Sequence, residues 1–138
     1  MMQLTAPDHY TIRARDVERT LEFYRTVVGL RTGPRPPFEN PGFWLYAGET
    51  PVIHLFSREH RYAYVGRVVD EDDPEGSLGG SGAIDHVAFS AACSFDEARE
   101  HLRALDVPFR ELAVPGARFR QLFVVDPNGL TVEMSFAS

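Results

Sequence analysis

His9, His54, His86 and Glu133 are the side chains of this 138-residue chain whose types and spacing fit a metal site. His9 and His86 lie 77 residues apart and His54 and Glu133 lie 79 apart, so two copies of one module would each supply two nitrogen or oxygen donors. Imidazole and carboxylate donors without thiolate suit a borderline divalent ion such as Fe(II), Mn(II), Ni(II), Co(II) or Zn(II). Two histidines and one glutamate leave one face of an octahedron open, with room for two vicinal oxygens of a substrate and, on iron, for dioxygen as well. If His54 also binds, two positions remain, enough for a bidentate substrate but tight for a catecholate plus dioxygen. Its alternative role is general acid or base beside the ion, because imidazole titrates near neutral pH. His60 and His101 have no counterpart in the other copy and are expected on the surface.

The elements that would position these residues recur in one order, and such a repeat decides the architecture. Asp8-His9-Tyr10-Thr11-Ile12 begins a strand. Asp16 then caps a helix predicted from Val17 to Val28, with Leu21, Tyr24 and Val28 on its apolar stripe and Gly29 as its left-handed stop. Asp85-His86-Val87-Ala88-Phe89 begins the second copy. There Ser94 and Glu97 form an S-x-x-E capping box for a helix reaching about Asp106, with Phe95, Ala98, Leu102 and Leu105 on its buried face. Each copy closes on a hairpin. Trp44-Leu45-Tyr46, four turn residues and Pro51-Val52-Ile53-His54 lie over Phe123-Val124-Val125, Asp126-Pro127-Asn128-Gly129 and Leu130-Thr131-Val132-Glu133 under the single offset of 79. Module 1 therefore runs over about 5–56, a connector over 57–82 and module 2 over about 83–136, within one domain spanning 1–138.

Neighbouring side chains on a strand point to opposite faces. His9 shares a face with Thr11 and Arg13, His86 with Ala88 and Ser90, and Glu133 with Thr131 and Ser135, while the apolar residues between them can pack under a helix. His54 lies among Val52 and Phe56, so only the repeat assigns its face.

Between the first helix and the first hairpin, Gly33-Pro34-Arg35-Pro36-Pro37-Phe38-Glu39-Asn40-Pro41-Gly42 cannot lie inside a sheet, because its prolines remove donors and fix backbone angles. It reads as a stiff loop tipped with Phe38. Pairing across the hairpin is expected to set Phe43 beside His54, so Phe38, Phe43 and Phe56 would offer a flat ring a binding surface, with Trp44 on the opposite face. If Leu122 pairs with Glu133, Arg118 and Arg120 approach the cavity face and could hold a carboxylate.

A net charge of −6 argues against a general nucleic-acid binder, whose affinity comes from neutralising phosphates. The single cysteine excludes an internal disulfide and a zinc-thiolate cluster and fits a reducing cytoplasm. The amino terminus shows no signal-peptide pattern, and no apolar run approaches the ~18 residues of a spanning helix, so a cytoplasmic protein with no membrane partner is expected.

On Asp8-His9-Tyr10-Thr11-Ile12 with Leu21-Glu22-Phe23-Tyr24 and Gly29-Leu30, on Asp85-His86-Val87-Ala88-Phe89 and on Asp126-Pro127-Asn128-Gly129-Leu130-Thr131-Val132-Glu133, the chain resembles the vicinal oxygen chelate superfamily. That group includes glyoxalase I, fosfomycin- and bleomycin-resistance proteins, methylmalonyl-CoA epimerase and extradiol dioxygenases. The resemblance implies an α+β fold of paired βαβββ modules, each a curved mixed sheet, closing as a half-barrel around a metal site. His9, His86 and Glu133 match the ligand positions, and His54 falls where glyoxalase-like members often carry Glu or Gln. The expected function is a divalent-metal enzyme, Fe2+ favoured, on a small oxygen-chelating substrate. Extradiol ring cleavage stands slightly ahead of glyoxalase-like lyase or isomerase chemistry, and a metal-free drug-binding protein is the alternative. A homodimer is also implied, since half-sheets expose edges that need partners.

Overall fold

The computed structural model describes residues 1–3, 5–37, 41–57, 86–113 and 119–137. The chain divides into two compact units, residues 1–62 and 63–138. Phe38, His60, Asp85, Arg118 and the connector beyond Ser57 lie outside the described residues.

Unit 1 runs β1 (Tyr10–Ala14), α1 (Val17–Phe23), a π-helical turn (Tyr24–Val28), β2 (Arg31–Gly33), β3 (Gly42–Ala47) and β4 (Thr50–Ser57). Asp16 caps α1 as expected, its Oδ1 accepting from the Arg19 N–H at 3.0 Å. Gly29, at φ 86°, takes the left-handed stop. The predicted helix to Val28 is present in length, but its last turn widens. There the β-branched run Thr26-Val27-Val28 crowds an α-helix, and the Thr26 hydroxyl donates back to the Glu22 carbonyl at 2.8 Å. Val27 is buried in place of Val28.

Unit 2 repeats the order with β5 (His86–Ser90), α2 (Phe95–Ala104), β6 (Arg110–Ala113), β7 (Phe119–Val125) and β8 (Thr131–Ala137). The capping box forms: Ser94 Oγ accepts from the Glu97 N–H at 3.2 Å, and Glu97 Oε2 accepts from the Ser94 N–H at 2.8 Å. Leu105 departs from expectation. It ends the helix rather than continuing it and stays 42% exposed.

Each unit holds an open four-stranded mixed sheet, ordered β1-β4-β3-β2 and β5-β8-β7-β6. The first and last strands of each unit pair in parallel, and the other pairs are antiparallel. One face lies under the helix: Ile12, Ala14, Leu45, Ile53 and Leu55 in unit 1, and Leu122, Val124, Val132, Met134 and Phe136 in unit 2. Burying each larger side chain contributes about 1.5–3 kcal/mol, so these rows fix which face points away from the helix.

The registers match at the positions around His54 and Glu133. Thr11 pairs with His54 as Ala88 pairs with Glu133, Trp44 opposes His54 as Phe123 opposes Glu133, and Gly42 opposes Phe56 as Gln121 opposes Ser135. Both hairpins nevertheless differ from expectation by one residue. Phe43 opposes Leu55 rather than His54, because a bulge between Leu45 and Tyr46 adds a residue to the ladder. Leu122 opposes Met134 rather than Glu133, because Asp126–Leu130 forms a five-residue loop with Val125 opposite Thr131. Asp126 holds that loop, its Oδ1 accepting from the N–H groups of Asn128 at 2.8 Å and Leu130 at 2.9 Å. A one-residue slip exchanges the two faces of a strand, so both corrections change which side chains reach the site.

Candidate functional site

In unit 1, His54 projects from the middle of β4 on the face away from α1, and Trp44 on β3 lies directly across. Their rings stack with centroids 4.0 Å apart and planes within 4°. His9, one residue before β1, stacks on the other side of His54 at 3.7 Å and 17°. Asp8 Oδ2 accepts from His9 Nδ1 at 2.6 Å, which turns Nε2 into the available nitrogen of His9. Enclosed between two rings, His54 has its Nε2 buried, with no hydrogen-bond partner among the described residues. Burial, and then the neighbouring His9, lower its pKa to about 4, with Arg35 acting in the same direction and Asp8 opposing them. The imidazole is therefore neutral at neutral pH, with a lone pair to offer. Stacked rings direct their in-plane lone pairs side by side, so His9 must turn out of the stack before the two imidazoles can share an ion.

In unit 2, Glu133 projects from β8 on the face away from α2 and is only 6% exposed. His86, the first residue of β5, brings Nε2 to 2.9 Å from Glu133 Oε2. The other carboxylate oxygen, Oε1, accepts from Gln121 Nε2 at 2.5 Å and from Ser135 Oγ at 2.7 Å. Phe123 meets the His86 ring edge-on with centroids 6.2 Å apart.

Each unit thus joins two of the four expected donors, and among the described residues neither unit gathers three His, Cys, Asp or Glu side chains for a metal. Of the other expected site residues, Phe56 lies on the face of His54 but is 5% exposed. Phe43 moves to the helix face beside Leu55. Arg120 also moves to the helix face, where its guanidinium lies 3.5 Å over the Phe95 ring and 3.8 Å from Glu111. Trp44, Phe123 and Gln121 take the places on the site faces. The offset of 79 already equates Trp44 with Phe123, and a one-residue correction at either turn would have placed them. His101 is exposed, as expected.

No helix among the described residues is long and apolar enough to cross a membrane. Comparison with curated proteins returns no match. Among solved structures, the chain is similar to an integron cassette protein of V. cholerae, with 17% identity, a TM-score of 0.72, and 100% of this chain and 99% of that one covered. It is similar to a lactoylglutathione lyase from Agrobacterium tumefaciens, with 22% identity, a TM-score of 0.68, and 97% and 95% covered. It is also similar to TnmS3, an antibiotic binding protein from Streptomyces sp. CB03234, with 17% identity, a TM-score of 0.66, and 100% of both chains covered. These likenesses establish the α+β fold of paired modules. A family profile matches residues 6–134, nearly the whole sequence, and so the chain belongs to the Glyoxalase/Bleomycin resistance protein/Dioxygenase superfamily.

Proposed function

We propose that His9, His54, His86 and Glu133 hold one divalent ion and that the protein is a glyoxalase-type lyase or isomerase acting on a small substrate with vicinal oxygens. The observation that carries this reading is His54, a neutral imidazole beside a second imidazole, with a buried Nε2 that has no partner among the described residues. The donor set fits the group: three imidazoles and one carboxylate suit Ni(II), Zn(II), Co(II), Mn(II) or Fe(II). Four protein donors leave two positions, which favours a bidentate substrate over a catecholate with dioxygen and reverses the order expected from the sequence.

Bound there, the ion would supply Lewis-acid polarisation of a substrate oxygen. The chain's own contribution is orientation. Asp8 holds the His9 ring by its Nδ1, and Trp44 covers one face of His54. Gln121 and Ser135 hold Glu133. Extradiol cleavage remains the second reading, favoured by Trp44 and Phe123, two aromatic rings on the site faces beside His54 and His86.

Metal analysis and a two-arm assay test the proposal. Protein loaded with Ni(II) or Zn(II) is expected to turn over a glutathione hemithioacetal, whereas Fe(II)-loaded protein given catechols and oxygen is expected to form no ring-fission product. Ring fission without hemithioacetal turnover would select the dioxygenase. Failure to bind any of these ions, with tight binding of a drug-like ligand, would select a binding protein of the kind exemplified by the Streptomyces antibiotic binding protein.

A further inference from the structure

Among the matched positions at which the two modules differ, one pair bears on the carboxylate. Gln121 and Ser135 are register partners on β7 and β8. Both donate to the same oxygen of Glu133, at 2.5 and 2.7 Å. Oε2 is left facing His86 Nε2 at 2.9 Å. In module 1 the matched register partners are Gly42 and Phe56, which carry no side-chain donor, and the residue matching Glu133 is His54. A Cβ at Gly42 would lie 2.5 Å from the Leu55 carbonyl oxygen, so that position excludes a side chain without a backbone shift. At these matched positions side-chain donors therefore accompany the carboxylate and are absent beside the imidazole.

A buried carboxylate needs hydrogen bonds, but solvation alone does not require that both donors take one oxygen. From this geometry we infer that Gln121 and Ser135 are positioning residues: they commit Oε1 of Glu133 to the protein and leave Oε2 as the single oxygen presented to the ion. The inference rests on the metal reading above. Its consequence is one-oxygen ligation with a fixed lone-pair direction. Without the two donors the carboxylate can rotate and offer both oxygens, and the preference among ions weakens.

Calorimetric titration of Ni(II) into the ion-free protein provides the test. Gln121→Ala and Ser135→Ala are each expected to weaken Ni(II) binding by about 10- to 100-fold. Ser135→Thr keeps a hydroxyl and is expected to bind as the wild type does. In a Glu133→Gln background the same two alanine substitutions are expected to cost nothing further, because the oxygen they orient is no longer a carboxylate ligand. Urea unfolding of the ion-free proteins verifies that each variant folds, and Ser135→Ala removes so little that it serves if Gln121→Ala does not. Alanine variants that fold and bind Ni(II) as tightly as wild type would sink the inference alone. So would costs that persist undiminished in the Glu133→Gln background. A wild-type protein that binds neither Ni(II), Zn(II) nor Mn(II) would sink the metal reading and this inference together.

Discussion

A buried nitrogen without a partner costs about 1–3 kcal/mol until something satisfies it, and among the described residues His54 Nε2 has none. The two rings that flank it explain how it stays dry: Trp44 lies flat against one face and His9 against the other. His54→Ala is expected to weaken Ni(II) binding at least about tenfold, a loss typical of a disturbed metal shell, as read by calorimetry. His54→Gln keeps a donor atom at a position where glyoxalase-like proteins often carry Glu or Gln, and it should recover part of that loss. Trp44 supplies an independent readout, because it is the chain's only tryptophan and it stacks on the proposed ligand. Saturating Ni(II) should quench its emission. Unchanged emission, with binding established by calorimetry, would remove His54 from the ligand set and leave it the acid–base role.

The turns decide which residues these are. Asp126 is 4% exposed, and its Oδ1 accepts from both Asn128 and Leu130. Asp126→Ala should therefore destabilise unit 2 by about 1–3 kcal/mol in urea unfolding, the cost of two backbone donors left unmatched, while Asp126→Asn, which keeps an acceptor, should cost less. At the other end of the unit, Ser94→Ala removes a helix cap and should cost about 1 kcal/mol. Glu97, its partner in the capping box, has its pKa lowered from 4.5 by the backbone N–H of Ser94 first and by the Ser94 side chain second. The folded state then binds fewer protons than the unfolded state near pH 4.5, so this contribution is present above that value and lost as pH falls through the lower folded one. The urea midpoints of wild type and Glu97→Gln should accordingly converge on acidification. The capping box, the Asp16 cap and the Gly29 stop were legible because each rests on chemistry within a few residues. The hairpin registers were not. A bulge at Leu45 and Tyr46 and a fifth loop residue at Leu130 leave no mark in an alternating pattern, yet they bring Trp44 and Phe123 to the site faces and carry Phe43 and Arg120 away.

In the proposed site, duplication has each unit contribute half of the donor set. His54 is a neutral imidazole stacked between His9 and Trp44, whereas His86 and Glu133 are a paired imidazole and carboxyl group backed by an amide and a hydroxyl. Among the described residues neither half gathers three donors, so the proposed four-ligand ion takes its donors from both modules. Two consequences can be measured. One ion should bind per chain, and removing either pair, as His9→Ala with His54→Ala or His86→Ala with Glu133→Gln, should abolish tight binding. Because the ion binds only the folded arrangement, free ion at 100 times its dissociation constant should stabilise the protein by about 2.7 kcal/mol, and a chelator should remove that gain. For a chain of this length the gain corresponds to an unfolding midpoint higher by roughly 10 °C. It should be absent from both double variants, since a half-site left alone has nothing to close on. If one double variant kept the full shift, a single module would be holding the ion, and the proposed sharing of four ligands would fail.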